Sequence, residues 1–130
     1  ATTARYADLA ENYLADGKYE AGTVIALGGS AEVTATVTMK DHRVAGIVST
    51  NPAHLMNSHL EGEHVVAVAL TGRVPCKVIG KVAKGDMLVS SNVPGYAMVD
   101  NDPKLGTLIG KAIEGKVDDG KGVVEVLVGK

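Results

Sequence analysis

The chain has 130 residues and a net charge of −2. Hydrophobic residues make up 45% of the chain, and aromatic residues make up only 3%. We expect one domain, with a core of Val, Ile, Leu, Ala and Met because the chain has no Phe or Trp. The interspersed charges form no basic patch for nucleic acid, and no apolar run reaches the roughly 18 residues of a membrane span. A lone cysteine, Cys76, excludes an intrachain disulfide and is expected to be buried.

Residues 1–14 differ in composition from the rest of the chain and are expected to form an N-terminal arm. Residues 4–14 have a helical composition but no single apolar stripe, so both a helical turn and an extended arm fit them. The remainder, residues 15–130, is expected to be a single β domain.

From Gly17 onward, short β-like runs alternate with Gly, Asn, Asp and Pro. Nine runs have this character: 23–27, 32–38, 43–49, 64–70, 73–79, 86–90, 96–99, 108–113 and 123–128. Nine closely spaced strands predict an all-β fold, either a compact sandwich or a small barrel. Residues 51–62 interrupt the pattern and are expected to be a loop with one helical turn after Pro52. Residues 64–80 are expected to be a linking hairpin that turns at Thr71 and Gly72.

Two stretches share one order of turns and strands and predict a pseudo-repeat of three-strand units, over 20–50 and 83–114. When Gly22 is set against Gly85, each glycine opens a short apolar run, and each stretch ends on a glycine inside an apolar run, Gly46 or Gly110. The first pair is expected in tight turns, and the second pair at bulges or close backbone approaches. Asp86 is expected to cap its turn rather than to bind phosphate, because a strand and not a helix follows it.

The remaining polar residues give few signs of chemistry. His54, His59 and His64 recur every five residues, but no cysteine or carboxylate completes a metal set with them, so neither a metal site nor a cofactor is expected. Arg73, His54 and His59 are candidate contacts to a partner. Asp8 and Glu11 would share a face if their segment were helical, and paired carboxylates can act as acid and base toward a peptide bond.

The chain resembles the C-terminal β-rich domain of phage tail-fibre and neck-appendage proteins, and it is similar to their autoproteolytic intramolecular-chaperone domain. The resemblance spans roughly residues 7–128, through the segments ADLAENY, DHRVAGIVSTNPAHLMN, TGRVPCKVIG and IGKAIEG in this order. It implies a virion protein that forms homo-oligomers, typically trimers, and that in some members cuts itself. Asp8 and Glu11 match the family's Asp-x-Ala-Glu motif and are the catalytic residues that the resemblance implies. The chain departs from the pattern at Leu9, where an aromatic residue is common, and it has no Ser immediately upstream.

Our leading interpretation of the sequence is a non-enzymatic virion structural domain of a fibre, appendage, decoration or fibril that binds copies of itself and other virion proteins. Two alternatives stay open. One is a self-cleaving chaperone domain that uses Asp8 and Glu11 as an acidic endopeptidase. The other is a module that binds a host surface through residues 51–62 or Arg73.

Overall fold

Short runs of Val, Ile and Ala between turn residues form strands throughout the computed structural model, which describes residues 7–129. These residues contain ten strands and no helix: β1 Asp8–Leu14, β2 Val24–Leu27, β3 Val33–Ala35, β4 Val44–Val48, β5 His54–Met56, β6 Val65–Ile79, β7 Met87–Ser90, β8 Ala97–Val99, β9 Gly110–Ala112 and β10 Lys121–Val128. The predicted all-β class is confirmed. Among the residues described there is accordingly no helix long and apolar enough to cross a membrane.

The C-terminal half of the chain closes into a five-stranded barrel. Its strands are hydrogen-bonded in the order β10, β9, β7, β8 and β6, and β10 also pairs with β6 to complete the ring. The β6–β10 pairing is antiparallel and runs from the Lys121–Ile79 pair to the Val128–Gly72 pair. Of the two predicted architectures, the barrel is therefore the one that forms, and closure leaves no free edge on these five strands.

The N-terminal half repeats this arrangement. Strands β2, β3 and β4 form an antiparallel set, and β4 pairs with the first half of β6. Strand β1 runs antiparallel to the same half of β6, and one parallel bridge from Ala15 to Val33 joins it to β3. The parallel pair Val78–Ala97 joins β6 to β8 in the same way in the C-terminal barrel. The fold is thus two similar small rings of strands that share the long strand β6.

The predicted equivalence of Gly22 and Gly85 is present in the backbone hydrogen bonds. Both glycines have positive φ, 88° and 90°, and each lies in a turn that opens a strand. The N–H of Gly22 donates to the carbonyl of Val48 at 2.9 Å, and the N–H of Gly85 donates to the carbonyl of Ala112 at 2.8 Å. The Gly22 hydrogen bond therefore joins the start of β2 to the end of β4, and the Gly85 hydrogen bond joins the start of β7 to the end of β9.

The linking hairpin predicted over 64–80 is wrong, because β6 is one continuous strand of 15 residues. Gly72 has a φ of 104°, and it marks the point where β6 changes partner from β1 to β10. The pairing of β1 with β6 also shifts register between Leu9 and Ala10. A glycine is expected both in a hairpin turn and in a strand that bulges and changes its pairing partner, so the sequence alone does not distinguish these two structures.

Two other expectations are corrected. The helical turn expected after Pro52 is replaced by the short strand β5, which pairs in parallel with β1. Residues 8–14 take the extended alternative and form β1, so the helical alternative is wrong for them; residues 4–6 lie outside the described residues. In both places a neighbouring strand supplies backbone hydrogen bonds, which outweigh the weak local preference.

The buried side chains form two clusters. The larger cluster fills the C-terminal barrel, with Leu88, Val124, Val126 and the fully buried Cys76, and it extends to Val24 and Ile47 in the N-terminal half. The smaller cluster lies in the N-terminal half, around Ile25, Val33, Val48, Val66 and Val68. Small β-branched side chains suffice because each ring is narrow, which explains how the chain dispenses with Phe and Trp.

Candidate functional site

An open cleft of about 510 Å³ lies where the two rings meet. Its lining comes from β1, the turn before β2, the end of β4, and the strands β6 and β10. The polar residues of the lining are Asp8, Ser49, Thr50, Asn51, Arg73 and Glu125. Junctions between structural units are common places for ligand and active sites, and this cleft collects charged groups from distant parts of the chain.

Asp8 is the most unusual residue of the cleft. Only 4% of it is exposed, and its Oδ2 atom has no hydrogen-bond partner among the residues described. Burial raises the pKa of the Asp8 carboxyl, although a hydrogen bond from the Ser49 hydroxyl and one from the backbone act in the opposite direction. A buried carboxyl without a charged partner retains its proton at higher pH than usual, so Asp8 is suited to act as an acid.

The backbone that leads into Asp8 crosses β6 at very short range. A Cβ atom on Gly72 would lie 2.2 Å from the carbonyl oxygen of Ala7, so only glycine permits this crossing. The backbone N–H of Arg73 donates to the same Ala7 oxygen at 3.2 Å, and the N–H of Ala53 donates to the carbonyl of Asp8 at 2.9 Å. The backbone of Ala7 and Asp8 is therefore held at this crossing by hydrogen bonds from β6 and from the segment before β5.

Glu125 and Arg73 bring opposite charges to the wall of the cleft. In the β6–β10 register Glu125 faces Pro75 and Arg73 faces Leu127, so the two charged residues are diagonal neighbours on one face. Burial raises the pKa of Glu125; the positive charge of Arg73 lowers it, and the negative charge of Glu114 raises it. Sequence reasoning missed Glu125, although it is the only charged residue in the apolar run 123–128.

Glu11 does not join Asp8 in the cleft. Residues three apart in a strand point to opposite faces, and the burial of β1 shows this, since Asp8 and Ala10 are buried while Glu11 is half-buried. The carboxylate of Glu11 instead accepts a hydrogen bond of 3.1 Å from the Tyr13 hydroxyl. The shared face expected for Asp8 and Glu11 in a helix is therefore absent from this strand.

The other candidate residues are dispersed. His54 lies exposed on β5 beside Leu9, and His59 is exposed in the loop that follows, whereas Arg73 lines the cleft. Within residues 7–129, no group of three or more His, Cys, Asp or Glu side chains is arranged to hold a metal ion. The histidines consequently add nothing to the chemistry of the cleft.

The predicted turn residues lie at the places where strands begin or approach closely. The Asp86 carboxylate accepts hydrogen bonds from the N–H of Ala83 at 2.8 Å and from the Asn101 amide at 3.1 Å. A Cβ atom on Gly46 or on Gly110 would lie 2.2 Å from a carbonyl oxygen of the adjacent strand. These residues belong to the β framework and not to the cleft.

A second buried polar group, missed from the sequence, connects the two halves. Asp41 is buried, accepts two hydrogen bonds of 3.0 Å from the Arg43 guanidinium, and receives a third from the Arg43 N–H at 2.9 Å. The hydroxyl of Ser90, at the end of β7, accepts from the Asp41 N–H and donates to the carbonyl of Thr38. Because all its groups are paired, this network is structural, in contrast to Asp8.

No protein-family model matches the chain, and no curated protein matches it.

Proposed function

We propose that this chain is an intramolecular-chaperone domain of a phage appendage, which self-associates and cuts the polypeptide on the N-terminal side of Asp8. The observation that supports the cutting activity is the buried Asp8 carboxyl with its unpartnered Oδ2 atom, which lines an open cleft and directly follows Ala7, whose carbonyl oxygen accepts a hydrogen bond from β6. The phage context comes from the resemblance of the sequence alone.

The chemistry is hydrolysis of one peptide bond. Water adds to the carbonyl carbon, the Asp8 carboxylic acid gives its proton to the leaving nitrogen, and the C–N bond breaks to give a new carboxyl end and a new amino end. A positioned general acid contributes typically about 10²–10⁴-fold to such a step. An acid is needed at the nitrogen because an amine anion is too basic to leave.

The test is expression of the chain with its natural upstream sequence and a tag at the N-terminus, followed by intact-mass spectrometry over time. We expect a single cut before Asp8 that Asp8→Asn abolishes, while Asp119→Asn, which changes an exposed Asp elsewhere, cuts at the normal rate. A wild-type chain that stays whole, or an Asp8→Asn chain that still cuts, would overturn the proposed activity.

A second candidate is a purely structural subunit that self-associates without cutting. It is favoured by apolar side chains that are exposed in the isolated chain, among them Leu105, Val117, and the pair Val123 and Leu127 on the outer face of β10. We expect light scattering to show an oligomer at concentrations on the order of tens of micromolar. We also expect Val123→Lys with Leu127→Lys to reduce its mass. A wild-type chain that is strictly monomeric there contradicts self-association, whatever the cutting assay shows.

A further inference from the structure

We propose that the groups which act with Asp8 are Glu125, as the base that activates water, and Arg73, as the cation that stabilises the oxyanion, and that Glu11 has no part in the reaction. This inference rests on the proposed self-cleavage and assigns its remaining chemistry. It places the acid on β1 and the base on β10, strands at opposite ends of the chain.

Placement is the first argument. Asp8, Arg73 and Glu125 line the same cleft, whereas Glu11 lies on the other face of β1 with its carboxylate bound by the Tyr13 hydroxyl. Arg73 and Glu125 are diagonal neighbours across the β6–β10 pair, and Asp8 pairs with Gly72, the residue before Arg73. An acid and a base that act on one peptide bond must both reach it, and Glu125 satisfies this requirement where Glu11 does not.

Electrostatics is the second argument. Burial raises the pKa of both carboxyls, but the positive charge of Arg73 opposes this shift at Glu125, whereas no charged group among the described residues opposes it at Asp8. Two carboxyl groups in one cleft with different environments divide naturally into a base and an acid. The backbone N–H of Arg73 donates at 3.2 Å to the carbonyl oxygen of Ala7, the atom on which negative charge develops during attack.

The step balances with water alone. Glu125 takes a proton from the water whose oxygen bonds to the scissile carbonyl carbon, and Arg73 donates hydrogen bonds to the resulting oxyanion. The C–N bond then breaks as Asp8 gives its proton to the nitrogen. Afterwards Glu125 holds a proton and Asp8 is ionised, and transfer of this proton through solvent restores both groups.

One consequence concerns timing. Strand β10 is the last of the strands within residues 7–129, and it completes the C-terminal barrel by pairing with β6 and β9. The base is therefore in the cleft only after the final strand has docked. A chain in which β10 has not docked would stay uncut, so cutting would mark the closure of the C-terminal barrel.

The experiment compares cutting rates of Glu125→Gln, Glu125→Asp, Glu11→Gln and Glu61→Gln in the tagged chain. We expect Glu125→Gln to slow cutting at least about 100-fold. Glu125→Asp should recover part of this loss, and Glu11→Gln and Glu61→Gln should stay within about threefold of wild type. Glu61 is the matched control because it is an exposed glutamate that does not line the cleft. Arg73→Met should slow cutting by about 100-fold or more, the typical cost of losing one oxyanion donor.

The pH profile separates a base from a structural role. The wild-type rate should rise with pH through an acidic limb and fall again at higher pH as Asp8 ionises, and Glu125→Gln should lose the acidic limb while the melting temperature is unchanged. If Glu125→Gln does not fold, the pH profile of the wild-type cutting rate tests the proposal. A wild-type profile without an acidic limb would overturn the assignment of Glu125 as the base. Cutting by Glu125→Gln at the wild-type rate, with Asp8→Asn inactive, overturns this inference and leaves the proposed function standing. A wild-type chain that never cuts overturns the proposed function itself.

Discussion

Gly46 is the position where a single methyl group should do the greatest damage to the shared strand. An alanine Cβ atom there would lie 2.2 Å from the carbonyl oxygen of Ala69 and 2.8 Å from the side chain of Val68, both on β6. Ordinary contact begins near 3.4 Å, so β4 and β6 would have to separate by about 1 Å. The backbone atoms involved are part of the ladder that pairs Ile47 with Ala69, and they have no rotamer by which to escape.

The expected cost follows from this geometry. Overpacking of a core costs typically about 1–3 kcal/mol, and a clash with rigid backbone belongs at the upper end, so we expect Gly46→Ala to lower the free energy of unfolding by about 3 kcal/mol. A domain of this size has roughly 5–15 kcal/mol in total. A loss of 3 kcal/mol should lower the melting temperature by about 10 °C, since 1 kcal/mol corresponds to roughly 3–5 °C.

Urea unfolding followed by circular dichroism measures the loss, and three further glycines provide the comparison. Gly110→Ala should cost as much as Gly46→Ala, because its Cβ atom would also lie 2.2 Å from a carbonyl oxygen, that of Leu127. Gly85→Ala meets no atom within 4 Å and should cost only the roughly 1–2 kcal/mol of a positive φ. Gly120→Ala should stay within about 0.5 kcal/mol of wild type. A loss below about 1 kcal/mol for Gly46→Ala, or a larger loss for Gly85→Ala, would refute the assigned backbone contact.

Three other predictions follow from the buried groups. Burial raises the pKa of Asp8, so its stabilising contribution is complete below the unfolded-state pKa and is lost as pH rises through the folded-state pKa. Asp8→Asn should therefore raise the free energy of unfolding by about 1 kcal/mol at pH 7 and by little below pH ~4, and equal stability at pH 7 would contradict the burial of an unpaired carboxylate. The Arg43 side chain lowers the pKa of Asp41, so that contribution is present above the unfolded-state pKa and is lost as pH falls through the folded-state pKa. Because Arg43 is half exposed, Arg43→Met should cost only about 1 kcal/mol near neutral pH and progressively less as pH falls through the folded-state pKa of Asp41, as measured by thermal unfolding across pH. Burial raises the pKa of Cys76 to about 12, so a disulfide-exchange reagent should label this thiol only after denaturant is added, and rapid labelling of the native chain would contradict its burial.

The strands that the sequence predicts are those with apolar runs between turn residues, because burial on a sheet and the backbone freedom of glycine act locally. The runs around Ile25, Leu88 and Val126 are examples, and each became a strand. Strands β1 and β5 were not predicted as strands. The sequence of β1, DLAENYL, carries Asp, Glu and Asn, which have low strand preference, and the three residues of β5, HLM, are too few to show an alternating pattern. They form because β6 and β1 offer unpaired backbone groups beside them, a tertiary effect that local composition does not contain.

The cleft was predictable only in part, and the reason is the register of the strands. Asp8 could be selected from its acidic motif, but its supposed partner was chosen by sequence spacing, and a change from helix to strand moves Glu11 to the opposite face. The true neighbours of Asp8 depend on β6 continuing straight through Gly72, since a hairpin at Thr71 and Gly72 would send Arg73 and β10 elsewhere. Gly72 therefore determines which residues line the cleft. Because it has no Cβ atom, the backbone of Ala7 can cross β6 at short range. At the same residue β6 changes its pairing partner from β1 to β10, so Glu125 lies along the same cleft as Asp8.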